Sequence, residues 1–169
     1  MKTFGVAIEI PEPYAGDLRK AREAAGDPEA HAVPPHVTVV APVSIDPEEM
    51  RAVEDHLADA LQGVAPFRMR LRGTGTFRPI SPVVFVAVAD GIAACEELER
   101  RVRCGPLAIE TRFPYHPHVT IALGVDEESL DRAFEDLAHF EADFMVDAVN
   151  LYELTDAGWS LSRTYALDI

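Results

Sequence analysis

Basic charge is scarce in this chain. Lysine and arginine together number 15 against 29 aspartates and glutamates, for a formal net charge of -14, and only Lys2 and Lys20 are lysines. Proteins that grip long nucleic acids do so by neutralising phosphates with cations, so a broad duplex-binding face is excluded. A small anion in a locally basic cleft is not, because the field inside a cleft can oppose the net charge. Cysteine is nearly missing as well: Cys95 and Cys104 read as lying on one helix about 13 Å apart along its axis, too far for a disulfide. Both are expected as free thiols. No apolar run approaches the roughly 20 residues that span a bilayer, so no membrane partner is expected. The segment Met1–Ile10 turns acidic too early for a signal peptide, which leads to the expectation of a cytoplasmic protein. There is no Gly-rich phosphate loop, no G-x-S-x-G, no HExxH and no CxxC, so nucleoside-triphosphate and serine-hydrolase chemistries have no anchor.

What remains is a globular composition. Of the 169 residues 48% are hydrophobic and 26% charged, enough to bury a real core and too apolar for disorder. Asp46-Pro47-Glu48-Glu49 supplies an N-cap, a proline at N1 and a glutamate at N3, and Met50, Val53, Leu57 and Leu61 follow at helical spacing. A second helix is predicted from near Asp90 to Gly105, a third from Asp126 with Leu130, Phe134 and Leu137 on one face, and a fourth over Tyr14 to Ala25. Strands are predicted at Thr3–Ile10, His36–Val40, Phe67–Leu71, Val83–Ala89 and His118–Leu123. Another carries Phe144, Val146 and Ala148 at a period of two, and a hairpin turns at Thr155-Asp156-Ala157-Gly158.

In order, these elements form two similar halves, residues 1–78 and 79–169 of a single domain. Each reads strand, helix, His-bearing strand, helix, strand, with an offset of about 80 residues. A cleft between related lobes is a natural ligand site. The sharpest feature is a tetrapeptide that recurs at that offset: Pro35-His36-Val37-Thr38 and Pro117-His118-Val119-Thr120. Side chains alternate across a strand, so each copy buries its valine and presents a His-Thr pair to whatever lies opposite. Two facing imidazoles can divide general base and general acid between them, and two hydroxyls can bind non-bridging phosphate oxygens. With ordinary pKa values near 6.5 both roles would be populated near neutrality.

These paired His-x-Thr-x motifs, His36-Val37-Thr38-Val39 and His118-Val119-Thr120-Ile121, and the duplicated layout resemble the two-histidine (2H) phosphoesterase superfamily, which includes 2'-5' RNA ligase and cyclic phosphodiesterase enzymes. The resemblance covers essentially the whole chain. It implies an α+β, bilobal duplicated fold, two antiparallel sheets flanked by helices with a central cleft. It also implies metal-independent opening of a 2',3'-cyclic phosphate on a nucleotide or RNA 3' end, with no cofactor, His36 and His118 as the acid-base pair, and Thr38 and Thr120 as phosphate binders. The chain departs from the best-known branch in having Val40-Ala41-Pro42 where Phe-Leu-Gly often follows the first motif, and Leu123-Gly124 where an arginine often follows the second.

Further candidates carry alternatives. Phe77 could stack on a base and Arg78 could reach a phosphate, or Phe77 is core and Arg78 solvated. Tyr115 and His116, before the second motif, are weaker substrate-binding candidates. Arg68, Arg70 and Arg72 form a guanidinium stripe that lines the cleft or merely wets an outer face. A metal-dependent hydrolase using His36, His116 and His118, with His31 as another donor, is one rival. The other is a non-catalytic module that binds a nucleotide or RNA end. The chain is expected to be a monomer.

Overall fold

The computed structural model describes residues 1–168. Its strands are β1 (Lys2–Glu9), β2 (His36–Ile45), β3 (Phe67–Thr76), β4 (Val83–Asp90), β5 (His118–Leu123), β6 (Glu141–Val146), β7 (Ala148–Thr155) and β8 (Gly158–Ala166). Its α-helices are α1 (Tyr14–Ala24), α2 (Met50–Leu61), α3 (Ile92–Val102) and α4 (Glu127–Asp136). Two of the predicted caps form as hydrogen bonds. Asp46 Oδ1 accepts from Glu48 N at 3.0 Å ahead of α2, and Asp126 Oδ1 accepts from Ser129 N at 2.7 Å at the start of α4. The apolar stripes Val53-Leu57-Leu61 and Cys95-Leu98-Val102 are buried, whereas Ile92 and Phe134 fall at exposed edges. Cys104 lies just beyond α3, and both cysteines are free.

The strands make two four-stranded antiparallel sheets, ordered β2-β1-β7-β8 and β5-β4-β3-β6. The sheets are not the two halves of the chain. β3 precedes residue 78 yet pairs with β4 and β6, while β7 and β8, from the second half, complete the sheet of β1 and β2. The reason is local: β3 turns directly onto β4, with Phe77 N donating to Val83 O at 3.1 Å, and a short antiparallel connection closes at little entropic cost. Helices are exchanged too. α1 packs on β5 and α4 on β3, β4 and β5, whereas α3 packs on β2 and α2 on α3 and β8. Each lobe is thus sealed by chain from both halves.

The period-of-two run through Phe144, Val146 and Ala148 is two strands rather than one. It divides at Asp147, where the chain steps from one sheet to the other and Asp147 O accepts from Leu167 N at 2.8 Å. The alternation holds only for β6; in β7 Val149–Tyr152 are buried on both faces, as suits a strand paired on each side.

The β7–β8 hairpin is anchored at its tip. Gly158 has φ +120°, and a Cβ there would overlap the backbone of Ala32. The next residue, Trp159, donates its N–H to Ala32 O at 2.8 Å. A side chain at Gly158 meets both an unfavourable backbone conformation and a steric wall. Gly158→Ala is expected to lower stability by about 1–3 kcal/mol in urea denaturation; a wild-type midpoint would show that the hairpin tip does not hold this contact.

Candidate active site

β2 and β5 sit at the inner edge of their sheets and come together between the lobes. Their alternation is as the motif predicts. Val37, Val39, Val119 and Ile121 are buried at 0–2% exposure, while His36, Thr38, His118 and Thr120 are half-buried on the opposite faces. Pairing to the neighbouring strands fixes this register: His36 lies opposite Glu9 and Thr38 opposite Ala7, and His118 lies opposite Ala87 and Thr120 opposite Phe85.

The proline of each motif has a structural consequence. A residue that precedes proline is pushed toward an extended conformation, and proline has no N–H to donate. In both copies the carbonyl two residues before the histidine meets the imidazole Nδ1. The distances are 2.7 Å from His36 Nδ1 to Pro34 O and 2.6 Å from His118 Nδ1 to His116 O. A carbonyl only accepts, so each Nδ1 carries the hydrogen and each neutral ring keeps a bare lone pair on Nε2. The two imidazoles are therefore set in the same tautomer by the same local device.

Aromatic rings hold them in place. Trp159 lies on His36 with centroids 4.3 Å apart and 35° between planes, backed by Tyr152 at 5.5 Å. Phe77 meets His118 edge-on at 4.9 Å and 88°, and Phe85 lies 5.2 Å from the same ring. Phe85 in turn covers Gly75, where a Cβ would come within 2.6 Å of its ring. Beside His118 opens a pocket of about 520 Å³ with Phe77, Ile80, Val83 and Phe113 as its apolar wall and His116 and His118 on its polar side.

Other candidates are placed differently from one another. His116 borders the pocket, and its carbonyl orients His118. Tyr115 reaches the site as a tie, not a stacking surface: its hydroxyl donates to Thr38 O at 2.6 Å, and burial pushes its pKa up. Arg78 is drawn onto α4, where Nη1 reaches Asp131 at 2.7 Å and Glu127 at 3.3 Å. The Arg68, Arg70 and Arg72 stripe pairs across to Asp143 and Glu141 on β6, so it is an outer face. On α2, His56 Nε2 donates to the last carbonyl of α3, Val102 O, at 2.8 Å. Among the described residues no three His, Cys, Asp or Glu side chains are gathered as a metal-ligand set.

Two residues at the site escape sequence reasoning. Trp159 is the only tryptophan and follows the turn glycine directly; its isolation was the available signal. Arg22 occupies the buried stripe of α1 with Ala15 and Leu18, and an arginine at helical spacing from a core leucine was the other.

Electrostatics correct the expectation of two rings near pH 6.5. Burial lowers the His36 pKa to about 4, with the charges of Arg22 and His118 acting in the same direction against the Pro34 hydrogen bond. Burial also lowers that of His118, helped by His116 and opposed by the His116 carbonyl. Desolvation disfavours the charged ring in both.

The model of the 2'-5' RNA ligase superfamily matches residues 10–158. The chain belongs to that superfamily. Its relatives include a protein named "putative phosphoesterase" from Halalkalibacterium halodurans, 27% identical over 97% of this chain and 96% of the relative. Another of the same name from Bacillus licheniformis is 24% identical over 97% and 98%. Among solved structures, Escherichia coli LigT complexed with 3'-AMP aligns over 99% of both chains with a TM-score of 0.68 at 18% identity. A structure described as a phosphoesterase aligns over 100% of both, with a TM-score of 0.71 at 18% identity. At that identity the structural likeness speaks for the fold alone, a duplicated α+β architecture.

The lowered His36 pKa has a measurable consequence. Below pH 6.5 the unfolded chain takes up a proton that the folded ring resists, so the stability due to neutral His36 is complete above pH 6.5 and is lost between 6.5 and about 4. The loss is on the order of 3 kcal/mol. His36→Asn is expected to flatten that part of the pH–stability curve, and an NMR titration of the His36 ring should have its midpoint near 4. A midpoint near 6.5 with an unchanged curve would contradict the desolvated site.

Proposed function

We propose that this superfamily member is a phosphodiesterase that opens 2',3'-cyclic phosphates of a nucleotide or RNA 3' end without a metal, using His36 as general base and His118 as general acid. The observation that carries this reading is the pair of Nδ1–carbonyl hydrogen bonds, which leaves both Nε2 atoms free on strands that meet in one cleft. Neutral His36, held strongly against protonation, suits the base. A water oxygen attacks phosphorus as His36 Nε2 takes its proton, the bond from phosphorus to one ribose oxygen breaks, and that oxygen leaves with the proton from His118 Nε2. The anionic phosphate raises the His118 pKa on binding and so loads the acid. The hydroxyls of Thr38 and Thr120 donate to the non-bridging oxygens, where charge is concentrated. The apolar pocket beside His118, with Phe77 on its wall, suits the flat face of a nucleobase.

Turnover of the four nucleoside 2',3'-cyclic phosphates in excess EDTA tests this. Wild type should be active, and His36→Ala and His118→Ala should each lose about 10²–10⁴-fold in kcat. The acid limb of kcat/KM should track His36 near pH 4, while the basic limb of kcat should lie above that of kcat/KM because bound phosphate holds the His118 proton. Chelator-sensitive turnover, or full activity in either variant, would overturn the mechanism. Nucleotide binding by a folded protein without turnover would make it the binding module instead.

A further inference from the structure

Arg22 is a buried cation, 7% exposed, on the inward stripe of α1. Its Nε donates to Asp27 Oδ2 at 2.8 Å. That carboxylate is also held by two backbone amides: Glu29 N donates to Oδ1 at 2.9 Å and Leu123 N donates to Oδ2 at 3.0 Å. Leu123 ends β5, the strand of His118 and Thr120, and residues 28–35 run from Asp27 straight into His36. The Arg22–Asp27 pair therefore sits where the two motif strands are joined.

A purely structural buried ion pair is expected to satisfy all its donors, since each unpaired one costs desolvation energy. Arg22 does not. Its Nη1 and Nη2 have no protein hydrogen-bond partner among the described residues, and neither is sealed from solvent. The guanidinium is close enough to His36 for its charge to act on that ring. Other arginines around the lobes are committed elsewhere: Arg78 to Asp131 and Glu127, Arg68 to Asp143, and Arg70 and Arg72 to Glu141. A chain of net charge -14 needs a local cation to draw an anion into its cleft.

We propose that Arg22 is the phosphate clamp of the cleft, its two Nη groups donating to non-bridging oxygens of the phosphate that Thr38 and Thr120 also bind. This rests on the reading that a phosphoester occupies the cleft. Asp27 holds Nε and so aims the planar fork, leaving the Nη groups pre-oriented for the charge that builds in an in-line displacement.

The test is binding of inorganic phosphate, followed by calorimetry, to wild type, to the neutral pair Arg22→Gln/Asp27→Asn, and to Arg22→Lys. The neutral pair should keep its fold and lose about 10–100-fold in phosphate affinity, the worth of charge-assisted hydrogen bonds, while affinity for the uncharged nucleoside adenosine is unchanged. Arg22→Lys should fall between, since it keeps the charge without the fork. Should the neutral pair not fold, Arg22→Lys decides, and wild-type phosphate affinity there overturns the clamp. Phosphate bound equally by wild type and the folded neutral pair sinks the clamp and leaves the proposed function standing. Wild type that binds no phosphate sinks both.

Discussion

A strand can offer side chains to a cleft only while its other face is sealed in a core, and this constraint, met twice, organises the molecule. Val37 and Val39 on β2, and Val119 and Ile121 on β5, are wholly buried. That burial fixes the strand register, because a slip of one residue would turn every histidine and threonine into the core. The exchanged helices follow from the same need. Each sheet uses helices from both halves of the chain to close its outer face, so the lobes cannot drift apart without exposing core. The relative position of the two imidazoles is thus a property of the whole fold and not of a flexible joint.

Within that frame the chemistry is set by short-range devices. The carbonyl two residues before each histidine accepts from its Nδ1 and thereby sets the tautomer. Tyr115 ties the approach to β5 onto β2 through Thr38 O, and Asp27 ties the approach to β2 onto the end of β5 through Leu123 N. These two reciprocal clasps, one from each lobe, brace the motif strands from opposite sides. The asymmetry lies in the surroundings. His36 has a tryptophan on its face and a buried cation nearby, and His118 has phenylalanine edges and a pocket. Pseudo-symmetry supplies two histidines on facing strands, and these unequal environments distinguish them.

Much of this was legible in the amino-acid sequence because it is local. The caps at Asp46 and Asp126, the helical stripes and the inward valines of both motifs depend on neighbours within a few residues. What was not legible depends on distant contacts. The step at Asp147 is a matter of strand pairing: β6 buries alternate residues on the sheet of β3, whereas Val149–Tyr152 of β7 are buried in succession between β1 and β8. The sheets' exchange of β3 against β7 and β8 is a pairing choice among strands of similar composition. Trp159 arrives on His36 only through the contact of its hairpin tip with Ala32. The lowered histidine pKa values reflect burial, and the rings that lie against the two imidazoles come from distant parts of the chain, Trp159 on His36 and Phe77 and Phe85 on His118.

In the proposed mechanism two imidazoles of the same tautomer hold different protons once a phosphate is bound. Nitrogen-15 NMR of histidine-labelled protein, saturated with a nucleoside 3'-monophosphate at neutral pH, reads this directly. His118 is expected to show the shifts of a doubly protonated ring and His36 those of a neutral ring with hydrogen on Nδ1. Two neutral rings, or a charged His36 beside a neutral His118, would contradict the division of labour.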